Sequence, residues 1–98
     1  MAKSATIQIG NSDDKLTQSE WSEFVSAVQD LIMDLQYNVH FHGCSIGSAP
    51  WQNACWVVEL TNDGRELKRM LARLAFDYQQ DSIALTIGEV QFISASNS

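Results

Sequence analysis

Apolar residues along the chain recur at every second position in some stretches and at helical spacing in others, and the stretches follow one another in a regular order. "ATIQI", residues 5–9, alternates apolar and polar and predicts a short strand with Ile7 and Ile9 on one face. The cluster Gly10–Asp14 predicts a turn. Trp21, Phe24, Val25, Val28, Leu31, Ile32 and Leu35 then fall on one face of a helix over 18–36. Thr17 and Glu20 have capping-box spacing at its start, and Leu16 with Trp21 has the spacing of a hydrophobic staple.

"YNVHFHGC", residues 37–44, alternates strictly, and "ACWVVEL", residues 54–60, is a run of strand formers, so both predict strands. The intervening "SIGSAPWQN" is longer than a tight hairpin turn, and such connections are where function gathers. "DGRELKRMLARLAFDY", residues 63–78, predicts a second helix, with Asp63 and Glu66 again at capping-box spacing. Its apolar face is Leu67, Met70, Leu71, Leu74, Ala75 and Tyr78. "SIALTIGEVQFI", residues 82–93, predicts the last strand, and the change of apolar phase at Gly88 predicts a bulge or a tight hairpin there.

The order βαββαβ is the split βαβ, or ferredoxin-like, α+β arrangement, with two helices on one face of an antiparallel sheet. The chain reads as a single domain over 1–98, with 1–4 and 94–98 frayed. Alternation places Tyr37, Val39 and Phe41 towards the helices, and Asn38, His40, His42 and Cys44 together on the open face. Trp56, Val58 and Leu60 are expected inward, with Cys55 and Glu59 joining the open face.

Two histidines at i and i+2 with a nearby thiolate can chelate zinc, so His40, His42 and Cys44 are metal candidates. H-x-H-x-C is not a diagnostic spacing, and polar residues alternating on a strand are what an ordinary solvated or partner-covered face requires. No metal site is favoured and no cofactor is expected. A thiolate–imidazole pair of Cys44 or Cys55 with His40 or His42 is conceivable. An open sheet offers little of the concave, water-excluding pocket that catalysis needs, and no nucleotide-binding or nucleophile signature is present, so an enzyme is not expected.

The formal net charge of −6 argues against direct nucleic-acid binding and permits docking on a basic protein surface. Two cysteines are too few for a disulfide scaffold. No apolar run approaches the roughly 20 residues of a membrane span, and "MAKSATIQIG" lacks a secretory signal's apolar segment, so a cytosolic protein is expected. Charge is also segregated. Arg65, Arg69 and Arg73 repeat at i, i+4 on the second helix, whereas the first helix carries Glu20, Glu23, Asp30 and Asp34 and no basic residue. Trp51, beside Pro50 in the long connection, is either an exposed aromatic anchor or a cap on the core. Gln52 and Asn53 next to it either bond a ligand or close the loop.

"WQNACWVVEL" (51–60) and "YQQDSIALTIGE" (78–89) resemble segments of small bacteriophage-encoded proteins. The resemblance implies a phage accessory protein of the kind that blocks bacterial defence, as anti-CRISPR proteins and sequesterers of signalling nucleotides do. The first expectation is a stoichiometric inhibitor whose Glu23 and Asp30 face, with Trp51 as anchor, occupies a basic, nucleic-acid-binding site on a host protein. The alternative is an oligomeric sponge that stacks an anionic nucleotide on Trp51 and holds its phosphate with Arg69 or Arg73. Self-association as a homodimer over sheet surface such as Val57 and Ala84 suits either.

Overall fold

A computed structural model describes residues 3–11, 15–46 and 52–95. The elements are β1 (Lys3–Gly10), α1 (Gln18–Asp34), β2 (Val39–Cys44), β3 (Asn53–Leu60), α2 (Arg65–Asp77) and β4 (Ala84–Glu89). The strands form one antiparallel sheet in the order β2-β3-β1-β4. Both helices pack on one face of it, around a core led by Trp56, Phe24, Ile7, Ile32 and Leu67. β1 starts earlier than alternation indicates: Lys3 and Ser4 pair with both β3 and β4, so the frayed start does not include them.

α1 begins as its sequence dictates. The Glu20 amide donates to Thr17 Oγ1 at 3.1 Å, the Thr17 amide donates to the Glu20 carboxylate at 2.9 Å, and Leu16 and Trp21 are both buried. Five core residues line its inner face, Trp21, Phe24, Val28, Leu31 and Ile32. α2 begins differently. Gly64, at φ 76°, is the N-cap and no side chain caps the helix. The Arg65 amide is taken by Asp63 and the Gly64 amide by Asn62, and Glu66 turns to Arg69, so the expected Asp63–Glu66 box does not form.

The helices end alike. Gln36 (φ 61°) and Gln79 (φ 57°) occupy the left-handed position after the C-cap. The amides of Tyr37 and Gln80 reach back to Ile32 and Ala75, and those of Gln36 and Gln79 to Met33 and Phe76. These are paired Schellman motifs that satisfy the last-turn carbonyls.

Two strands depart from simple alternation. β2 shifts register between Val39 and Phe41: Val39 pairs with Val58, Phe41 with Val57 and His42 with Trp56. One extra residue, His40, is thus inserted, and every position after it changes face. In β4 the ladder runs without interruption from Gln8↔Ala84 to Lys3↔Glu89, so Gly88 is neither a bulge nor a hairpin turn. The change of apolar phase there reflects the strand ending at Glu89, with Val90–Ala95 continuing as irregular backbone. Among the described residues, no helix is long and apolar enough to cross a membrane.

Candidate functional site

Paired residues of an antiparallel ladder share a face, so the registers sort the sheet. Ala5, Ile7, Ala54, Trp56 and Val58 lie under the helices, and Ser4, Thr6, Gln8, Cys55, Val57, Ala84 and Thr86 form the open face. The bulge alters what β2 adds to it. Phe41 and Gly43, paired with Val57 and Cys55, belong to the open face, and His42 and Cys44, paired with Trp56 and Ala54, belong to the helix side. The expectation that Phe41 faces the core while His40, His42 and Cys44 share the open face is therefore corrected. His40 borders an open-face cavity with Ser4, Val57 and Glu59, whereas His42 stacks on the Trp56 indole at 4.7 Å with 4° between the planes. No group of three potential metal ligands converges among the described residues.

The remaining β2 side chains follow from the same geometry. Phe41 lies across Gly43, where an added Cβ would come within 2.7 Å of the ring. Asn38 donates to Glu59 at 3.1 Å. Cys44 and Cys55 are free thiols on opposite faces.

The open-face cavity, about 370 Å³, is walled by Lys3, Ser4, His40, Val57 and Glu59 on the sheet and by Val90 and Phe92 of the C-terminal segment. A second cleft of about 500 Å³ runs between α2 and β4, with Phe76, Gln80, Asp81 and Ser82 on its rim. The polar run after α2 thus lines a groove, with Gln80 bonded to the Tyr78 carbonyl.

The two charged helices are not equivalent. Arg65, Arg69 and Arg73 each face an acid close in sequence: Asp63 at 3.8 Å, Glu66 at 2.6 Å and Asp77 at 3.2 Å. The Arg69 hydrogen bond holds the Glu66 carboxyl below its usual range, and the same bond raises the guanidinium. A phosphate reaching Arg69 or Arg73 competes with these carboxylates for the guanidinium. On α1, Glu23, Asp30 and Asp34 are exposed and make no ion pair among the described residues. At 3.6 residues per turn, Glu20, Glu23, Asp30 and Asp34 fall within about 80° of the helix circumference.

Trp51 lies outside the described residues. Gln52 exchanges hydrogen bonds with Gln18 and accepts one from Asn11, and the Asn53 amide donates to Ser45, so both residues close the end of the sheet. The residue that alternation and charge do not reveal is Asn11, the one buried polar side chain among the described residues, which both donates to and accepts from the Leu16 backbone. Its signal was present as an Asn in a turn cluster, a type that bonds nearby backbone.

No family model matches the chain, and no curated protein is similar to it. Among solved structures it is similar to a dimeric ferredoxin-like protein from an uncultured marine organism. The two are 12% identical, over 96% of this chain and 93% of that one, with a TM-score of 0.39. The element order and the β2-β3-β1-β4 sheet place this chain in the ferredoxin-like α+β class.

Proposed function

We propose that the protein is a non-enzymatic binding protein that acts by setting the acidic stripe of α1 against a basic surface of a protein partner. The observation that carries this reading is where the carboxylates sit. Asp30 and Asp34 are like charges at i, i+4, and both lie near the helix C-terminus, where the dipole disfavours anions and the last turn holds no base. The arrangement costs the free protein stability, and a basic partner reverses that cost. Neutralisation of the arginine stripe by local acids leaves α1 as the strongly one-signed surface.

The resemblance of 51–60 and 78–89 to phage proteins supplies the setting, a bacterial cytosol in which the partner is a nucleic-acid-binding component of host defence. The test measures DNA cleavage by purified CRISPR effector complexes with wild-type protein and with Glu23→Lys/Asp30→Lys. Inhibition by the wild type that the charge-reversed protein loses, and that weakens with salt, supports the reading. No inhibition by the wild type, or equal inhibition by the variant, overturns it.

A further inference from the structure

We propose that the open face of the sheet is the contact between two copies of this chain, packed sheet to sheet. Three independent observations lead there. The first is the charge distribution. Across all four strands, the residues registered to this face include one charged side chain, Glu59, at the end where Lys3 also walls the cavity, and the rest of the registered face carries no charge. A solvated sheet face in so acidic a chain should carry its share of acids and lysines, whereas depletion of charge marks the centre of an interface.

The second is size and shape. The middle of the face consists of Thr6, Cys55, Val57, Ala84 and Thr86, short side chains that let a second sheet approach to the roughly 10 Å of face-to-face packing. At its margin stand Phe41, 56% exposed, and Phe92, 86% exposed. These large apolar groups frame the small centre.

The third is area. A compact monomer of this mass, 10.9 kDa, exposes about 5,600 Å². This chain exposes 6666 Å², an excess of about 1,100 Å² over its whole surface, to which the open face and the irregular Val90–Ala95 segment both contribute; a standard interface covers about 800 Å² per partner. Another surface open to a second copy, the outer edge of β4 beside the α2 cleft, has polar groups and the charges of Lys68 and Asp81 on its rim. It serves as the control.

The experiment is sedimentation equilibrium at about 100 µM, a hundred times a micromolar Kd, on wild type, Thr6→Arg, Val57→Arg and Phe76→Glu. The expected result is a dimer for wild type and Phe76→Glu, and a folded monomer for the two arginine variants. A second readout does not depend on those variants folding. In a Cys44→Ser background Cys55 is the only thiol, and its alkylation rate should rise about tenfold or more as dilution through the Kd uncovers the face. A monomeric wild type, a dimer lost in Phe76→Glu but kept in Val57→Arg, or an alkylation rate independent of concentration overturns the proposal.

Discussion

Asn11 uses both ends of its amide on the backbone of Leu16, and the same nitrogen reaches Gln52 at 3.2 Å. Asn11→Ala leaves the Leu16 amide and carbonyl without these partners in a buried place, so urea unfolding should show a loss of about 1–3 kcal/mol. Asn11→Asp sets a buried carboxylate oxygen against the Leu16 carbonyl and the Gln52 side-chain oxygen, so it should cost at least as much as Asn11→Ala. Tyr78 makes a different prediction. Burial first, then the carboxylates of Glu23 and Asp77, raise its phenol above the ordinary 10.0, and its ring stacks on Phe24 at 4.8 Å. A raised folded value means the fold favours the protonated phenol. That stability is complete below the ordinary value and is lost as pH rises past it and through the raised one. Tyr78→Phe should therefore differ from wild type by a constant amount between about pH 7 and 9, then gain on it in denaturation series carried above pH 10. Individual side chains were legible in the sequence where pattern alone decides them, as with Trp56 or Leu67. His42 was not, because its place depends on one inserted neighbour. A bulge changes no composition and leaves no periodicity of its own, yet it turns His42 from a metal candidate into a cover for Trp56.

At the scale of elements, helix starts and helix ends differed in legibility for a physical reason. The Thr17–Glu20 box needs two side chains at fixed spacing, and the sequence shows them. At α2 the same spacing is present, but Asn62 and Asp63 satisfy the free amides one residue earlier and Gly64 takes the cap. Both C-terminal motifs rest on a glutamine where glycine is the usual choice, so nothing in composition marks them. A side chain with positive φ is strained, and Gln36→Gly and Gln79→Gly should each stabilise the protein by about 0.5–1 kcal/mol, the relief of strain exceeding glycine's extra entropy. Thermal unfolding of the two variants checks this. The acidic stripe makes the complementary prediction for α1. Asp34→Lys removes a repulsion with Asp30 and places a cation at the helix C-terminus, so it should stabilise the free protein by about 0.5–1 kcal/mol. The same substitution should weaken partner binding. Gain of stability with loss of binding separates a functional stripe from an incidental one.

The whole molecule is a two-layer slab, and pairing its bare sheets would turn a one-sided object into a four-layer one with helices outermost on both sides. The two α1 helices then lie in opposite outer layers, each with its own acidic stripe. A dimer of this form carries two such stripes in one body, so it can bridge two basic bodies. Vesicles containing a cationic lipid provide the test, with turbidity as the readout. Wild-type protein should cluster them at low salt, and clustering should fade as the Debye length shrinks below about 10 Å near 0.1 M salt. Val57→Arg, expected to be monomeric, should still bind the vesicles with unchanged affinity per chain, because α1 lies on the opposite face from Val57. It should cluster them poorly. Glu23→Lys/Asp30→Lys should keep the dimer and lose both binding and clustering. The three outcomes separate the two surfaces: one sets how many chains act together, and the other sets what they hold. A Val57→Arg protein that clusters vesicles as well as wild type would show that bridging does not pass through the sheet face.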